Sequence, residues 1–465
     1  MLACENPGKT AIEKASSVDE GLKPMRMISA LIQTFFRSAP FILCVFSATA
    51  IFVADESEPA SLRIIDVTNG ADLQLALDKH AERPGLLRIR QSAELMCLAL
   101  ESKVQDEISR HALLIPEGIV LDLNGSTLLL DLRSNSHGVR LSNRSGIRNG
   151  TIRIIRSENK GSQGIWHSAI SVGAPYDDGG TPDKPSYFSK IEDWSIEDMT
   201  IDQPAAASAI QIMSEGCFGV IRRVHILDSK EALLGIGMDW GSVGKMTTAD
   251  ETIPLMRELW EKHEIYSTHP HDILVEDITI GNLTRNNDAN DAGVRCSACY
   301  NIRIRNVHVA SAAAAVAIFG GDCGFEFAPK ELRPLAHTGY EIDGLSIGKA
   351  FRIGVVLNGL SDNVYRASLS HGYQMQLDPA QPGLNGVVIR STQLTGDGSP
   401  KTLGMFITAV SKVQLHDVTI KDFDIGVRIK DWINGLQFNG CDLSQNKDAQ
   451  SISNSAATPQ DVVFQ

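Results

Sequence analysis

Hydrophobic positions along this chain fall into short alternating runs, apolar-x-apolar, each preceded by a polar pair. The unit recurs about once per 25 residues. It reads Ile196-Glu197-Asp198-Met199-Thr200-Ile201, Arg222-Arg223-Val224-His225-Ile226, Glu276-Asp277-Ile278-Thr279-Ile280 and Arg305-Asn306-Val307-His308-Val309. It continues as Asp343-Gly344-Leu345-Ser346-Ile347, His416-Asp417-Val418-Thr419-Ile420 and Asn439-Gly440-Cys441-Asp442-Leu443, with Leu128, Ile152, Leu369 and Leu394 in the same series. A period of two inside a fixed longer period predicts strands stacked into a β solenoid.

Each repeat carries a second strand: Ile210-Gln211-Ile212-Met213, Ile236-Gly237-Met238-Asp239, Val294-Arg295-Cys296-Ser297 and Val316-Ala317-Ile318-Phe319. Later copies are read at Val355-Val356-Leu357-Asn358, Met375-Gln376-Leu377-Asp378 and Val427-Arg428-Ile429-Lys430. Alternate residues turn inward, so the intervening ones form outward columns about 4.8 Å apart from coil to coil. In the first strand set one column reads Glu197, Arg222, Glu276, Arg305, Asp343, Arg366, Arg390, His416. Its alternating signs predict a ladder of cross-strand ion pairs that fixes register rather than chemistry.

The repeats are expected over 115–445, preceded by a strand at Ile65-Asp66-Val67-Thr68 and a helix from about Asn69 to Lys79, inside a 55–114 cap that closes the solenoid end. Residues 94–112 are read as further helix, and 446–465 as a polar tail. Long gaps place insertions near 156–189, 241–270 and 320–338; Thr248–Tyr266 reads as an amphipathic helix with Thr248 and Glu251 as a capping box. In repeat folds, insertions fall on loops beside the binding face.

Composition narrows the function. A net charge of -13 argues against nucleic acid, which calls for a basic face, though a local basic cluster still admits an anionic polysaccharide. Residues 1–54 read as a leader: Arg26 and Arg37 precede the apolar run Ala39–Ala54, and Ala48-Thr49-Ala50 offers a cleavage site. The run is short for a membrane span, so a secreted or periplasmic monomer is expected. The cysteines beyond the leader, Cys97, Cys217, Cys296, Cys299, Cys323 and Cys441, make no dense disulfide framework. Cys296-Ser297-Ala298-Cys299 has the spacing of half a zinc site without a second pair, and Cys296 falls on an inward position, so packing is expected. Asn124, Asn143, Asn149 and Asn282 stand in Asn-x-Ser/Thr sequons.

Irregular repeats, a helical cap and loop insertions over residues 60–445 resemble the right-handed parallel β-helix of the pectin-lyase-like superfamily. The resemblance implies an all-β fold and raises the expectation of carbohydrate, since the superfamily includes polysaccharide lyases, hydrolases, epimerases and tailspikes. Polygalacturonases are similar in the order of Asn290-Asp291, Gly321-Asp322-Cys323, Ser370-His371-Gly372 and Arg428-Ile429-Lys430. The paired aspartates of that family are missing here and its first motif is altered, so its catalytic set is not carried across.

The residues themselves point to one patch. Asp239 follows glycines in Gly235-Ile236-Gly237-Met238, and Arg295 lies one coil and one outward position away, within pairing reach. The chain returns from the helical insertion through His269-Pro270-His271, and Asp291 and Asp322 sit in neighbouring loops. Asp239, His269, His271, Asp291, Arg295 and Asp322 are therefore the catalytic candidates, with Trp240, Asp288, Asn290 and Asn358 as substrate contacts. Hydrolysis needs two carboxylates flanking the bond, which Asp239 with Asp291 or Asp322 would supply. β-Elimination from a uronate needs a base and a cation, His269 or His271 with Arg295, although the two histidines also read as metal ligands or as loop corner residues. Alternatives are a non-catalytic glycan-binding or structural surface protein and a polymer-level uronate epimerase. No cofactor is required, although the acidic loop 177–183 is a candidate for Ca²⁺.

Overall fold

The polar pair that opens each repeat is a corner. In Glu197-Asp198, Arg222-Arg223, Glu276-Asp277, Arg305-Asn306 and His416-Asp417 the second residue takes a positive φ of 50–56°, and Gly344 and Gly440 do the same at equivalent places. Asn, Asp and Gly tolerate this left-handed conformation, which turns the chain without breaking its ladder. The first residue of each pair stands just before the bend, on the outside.

The computed structural model describes residues 62–98, 111–132, 137–157, 168–173, 190–202, 208–213, 215–229, 234–239, 269–283, 291–297, 299–320, 338–359, 384–430, 433–452 and 462–465. These lie within one unit, Ser57–Gln465. Their strands pair in parallel throughout, as a nineteen-stranded sheet and an eleven-stranded sheet. The left-handed residue divides the longer strands of the larger sheet, such as His271–Asn282, into a first and a second face. The eleven-stranded sheet is the third face. Inward residues of all three form one apolar core, including Ile273, Val275, Ile278, Ile280, Val294 and Cys296.

A second left-handed column, Arg144, Asp193, Phe218, Asp272, Asn301, Gly339, Gly386, Lys412 and Gly435, turns the chain from the third face into the first. Four long connections leave the end of a third-face strand at this corner: 174–189, 240–268, 321–337 and 360–383. In other coils the same turn is short, with one residue between Met213 and Glu215 and two between Ser297 and Tyr300.

The ion ladder is longer than expected. Register links Arg88, Asp122, Arg148, Glu197, Arg222, Glu276, Arg305, Asp343, Arg390, His416 and Asn439 in one column. Arg366 drops out, because Asp343 pairs directly with Arg390. Likewise Leu369 is not a rung, since Ile347 pairs with Leu394. The third-face strand expected at Met375–Asp378 lies outside the described residues; the strand that pairs with Ile353–Asn358 is Leu403–Thr408, whose Met405 and Phe406 meet Val355 and Val356. Residues 360–383 are thus an insertion that the repeat count concealed.

The helix Gly70–His80 forms as expected, with Asn69 accepting a hydrogen bond from the Asp72 amide and Leu73 and Leu77 fully buried. Three boundaries move. Glu94–Leu98 and His111–Ile115 are strands rather than helix, and they pair with Thr127–Leu132 and His137–Leu141. The ladder starts at Arg63–Ile65 rather than at 115. The tail contributes Asp448–Ile452 and Val462–Phe464 to the last coil. The 156–189 insertion is interrupted by Ser168–Val172, a rung of the third face. The leader and the Thr248–Tyr266 helix lie outside the described residues, among which no helix is long and apolar enough to cross a membrane.

Candidate functional site

The outermost column at the end of the third face runs Met213, Asp239, Ser297, Phe319, Asn358 and Thr408. One position inward along the outer side run Gln211, Gly237, Arg295, Ala317, Val356, Phe406 and Arg428. This diagonal offset brings the Arg295 guanidinium to 3.4 Å from the Asp239 carboxylate, with the two side chains 13% and 18% exposed. Arg295 also lies 5.9 Å from the Phe319 ring centroid, a cation–π distance. Asn358 is the strand partner of Phe319. A carboxylate, a guanidinium, an aromatic ring and an amide therefore gather where the 240–268, 321–337 and 360–383 connections leave the fold.

The glycine floor beside Asp239 is occupied rather than open. A Cβ on Gly237 would meet the Gln211 amide oxygen at 2.7 Å. Gln211 is itself buried, accepting from Ser208 Oγ at 3.0 Å. A separate apolar cluster, Leu234, Ala292, Ala314, Ala317 and Val356, forms apart from the main core. The outer side of the third face is thus covered over several coils, and polar groups reach its surface mainly at the Asp239 edge.

Other candidates separate from this edge. Asp291 lies just before the strand Ala292–Ser297, in which Cys296 pairs with Met238 next to Asp239, so it stands about 20 Å from that end along the strand direction. That spacing exceeds what either hydrolytic geometry uses, and Asp291 is buried. His269 is fully buried. Trp240, Asp288, Asn290, Asp322 and the 177–183 loop lie outside the described residues.

His271 belongs to the corner itself. It pairs in register with Cys217 and Tyr300, stacks on the Tyr300 ring at 4.6 Å, and meets Asp272 through Nδ1 at 2.6 Å. Its Nε2 faces Glu215 at 3.7 Å. Burial opposes the charged ring, yet hydrogen bonds to Asp272, Cys217 and Glu215 outweigh it and lift its pKa to about 10. A group so held is protonated at neutral pH and is not poised as a base. Sequence reading identified His271 but missed Glu215 and Cys217.

A depression of about 550 Å³ opens elsewhere, on the second face, lined by Asp202, Asp228, Thr279, His308 and neighbouring backbone. Its two carboxylates are committed. Arg153 binds Asp202 at 2.8 Å, and the Asn282 backbone N–H and side-chain amide hold Asp228 below the usual carboxylate range. A general acid needs the opposite shift, so this depression is less suited to glycosidic chemistry than the Asp239 edge. The sequon amides are also engaged: Asn124 donates to Ile89 O, Asn149 to Asp122 and Asn282 to Asp228, while Asn143 accepts from the Glu192 amide. Cys296 and Cys299 are fully buried free thiols, and Cys299 Sγ donates to Ser297 O at 3.5 Å.

No protein-family model matches the chain, and no curated protein does. Solved structures do. A tailspike protein mutant of E. coli bacteriophage HK620, in complex with a pentasaccharide, is 11% identical, with a TM-score of 0.54 over 85% of this chain and 61% of that one. The A-module of the Azotobacter vinelandii mannuronan C-5 epimerase AlgE4 is 15% identical, with a TM-score of 0.43 over 86% and 94%. The Streptococcus pneumoniae surface protein and adhesin PfbA is 12% identical, with a TM-score of 0.42 over 86% and 96%. Parallel pairing of the described strands, left-handed corners and the tailspike likeness lead to one conclusion about the fold: the chain is a right-handed parallel β-helix.

Proposed function

We propose that this chain is an exported polysaccharide-active enzyme that cleaves a glycosidic bond at the Asp239 edge of the third face. The observation that carries the reading is convergence: the longest insertions leave the fold beside the Asp239–Arg295 pair, Phe319 and Asn358. A β-helix of the same fold holds a pentasaccharide in its solved complex, which supports a glycan as the ligand.

Within this reading Asp239 takes a proton and Arg295 steadies negative charge on the substrate. Hydrolysis follows if a second acid completes the pair. The distance of Asp291 along the strand direction favours Asp322, three residues beyond Phe319 in the sequence, as the second acid. In elimination Asp239 abstracts the proton alpha to a uronate carboxylate while Arg295 stabilises the enolate; the double bond then forms as the bond to the β-oxygen breaks, and that oxygen leaves with a proton from protonated Asp239 or from water. The test is incubation of the purified protein with acidic and neutral polysaccharides, following reducing ends and the ultraviolet absorbance of an unsaturated uronate. Reducing ends alone mean hydrolysis, and both signals together mean elimination. Neither signal, with deuterium entering the polymer from solvent, means epimerisation. Silence in all three, with glycan binding retained, overturns the enzyme reading in favour of a binding module.

A further inference from the structure

The corner that follows the third face carries a donor set that the proposed reaction does not use. Glu215, Cys217 and His271 each offer one ligand atom, and these atoms lie within 4.8 Å of one another. Cys217 and His271 are direct register partners in adjacent coils. Glu215 precedes Cys217 by two residues, so strand alternation turns both side chains the same way. We propose that Glu215, Cys217 and His271 bind one divalent cation of the zinc class.

Donor chemistry selects the metal. Sulfur and imidazole favour zinc and its transition-metal neighbours, whereas calcium and magnesium take oxygen alone. Zinc bond lengths of about 2.0–2.3 Å put tetrahedral ligand atoms roughly 3.3–3.6 Å apart. His271 Nε2 and Glu215 Oε1 already stand at 3.7 Å, so closure asks for a contraction of at most about 1 Å across the set.

The histidine is oriented for the task. Asp272 takes Nδ1 at 2.6 Å, Asn301 donates to Asp272, and Tyr300 stacks on the ring while the Phe218 edge approaches at 5.5 Å. Carboxylate on one ring nitrogen and metal on the other is how zinc-binding histidines are usually held in place. The metal replaces the Cys217 thiol proton and the ring proton on Nε2. One thiolate and one carboxylate then balance its two charges, which suits a site where Cys217 is fully buried. Lys190 reaches Glu215 at 3.8 Å but lies closer to Glu192, at 2.8 Å, and keeps that partner when the cation arrives.

The test uses the full chain, stripped with chelator and titrated with Zn²⁺ and separately with Co²⁺. The expected result is one equivalent of tightly held zinc per chain and a thiolate-to-cobalt charge-transfer band. Cys217→Ser removes the band, whereas Cys296→Ala with Cys299→Ala leaves it. Glu215→Gln, at a partly exposed position, keeps the fold and weakens zinc at least tenfold. Asp272→Asn weakens it by about 10–100-fold. Should Cys217→Ser not fold, the Glu215→Gln and Asp272→Asn titrations decide. Absence of the cobalt band, a band that survives Cys217→Ser, or zinc affinity unchanged in both carboxylate variants overturns the site.

Discussion

The substitution Asp122→Asn tests whether the outward ion column contributes to stability or merely decorates it. The Asp122 side chain is 1% exposed, and its two oxygens divide the labour. Oδ2 accepts from Arg88 at 2.9 and 3.0 Å and from Arg148 at 3.2 and 3.3 Å. Oδ1 accepts from the Asn124 amide at 2.9 Å and from Asn149 Nδ2 at 3.1 Å. The substituted carboxamide would keep the second pair of bonds through its oxygen and turn its NH₂ toward two guanidiniums. Charge-assisted hydrogen bonds contribute about 1.5–3 kcal/mol each, but both arginines are more than a third exposed and rehydrate. The net cost is therefore about 2–3 kcal/mol for the pair together.

A stacked array need not unfold as one unit, so the assay is hydrogen exchange resolved by strand rather than a single melting curve. Amides of Gly85–Ile89, Ile119–Asp122 and Gly146–Ser157 should lose about 30- to 150-fold protection, at 1.36 kcal/mol per tenfold. Those of Ile425–Ile429 should not change. Burial opposes the Asp122 charge, but the Asn124 amide, Arg88 and Asn149 outweigh it and depress the carboxyl. Its contribution is then fully present above the unfolded value near 3.9 and disappears as pH falls through the lower folded one. Protection changed by less than threefold at neutral pH, or lost equally in every strand, refutes the reasoning.

Three further outcomes are expected. Asp239→Asn should lower polysaccharide turnover by about 10²–10⁴-fold while circular dichroism and strand protection stay as in the parent, and a fully active variant removes Asp239 from the reaction. Gly219→Ala should destabilise by about 1–3 kcal/mol in urea titration, because its Cβ would stand 2.0 Å from the fully buried Trp194 ring. Ser391, at φ 48°, should accept Gly with little change and lose about 1–2 kcal/mol on replacement by Val; equal stability of the two variants would show that this corner stores no backbone strain.

Much of the fold was legible because each level repeats the same message. The pair Glu276-Asp277 joins an outward charge to a left-handed corner, and both constraints recur in many coils, so periodicity exposes them without knowledge of the turn. The misreadings share one cause: alternation marks a strand but not the coil it belongs to. Met375-Gln376-Leu377-Asp378 alternates as convincingly as Leu403–Thr408, yet only the latter pairs with Ile353–Asn358. Glu94–Leu98 hid its alternation because the outward Met96 and Leu98 are as apolar as the inward Leu95 and Cys97. The 446–465 segment looked like a tail because its residues are mostly polar, and Asp448–Ile452 is almost wholly exposed.

The two corner sites were legible to different degrees for a physical reason. Asp239 and Arg295 lie on consecutive third-face strands, so counting coils and faces was enough to predict their 3.4 Å approach. Glu215, Cys217 and His271 also sit in neighbouring coils, but the 240–268 connection separates them in sequence and no period links their residue types. Position in a solenoid is inherited from the repeat, whereas chemistry arises where the repeat is interrupted. The turn from the third face to the first is where this chain carries its longest interruptions. It admits one residue in some coils and more than twenty in others without disturbing the ladder on either side. Both the proposed glycan edge and the proposed metal cluster lie along that turn, where a change of loop alters the site at no cost to the core.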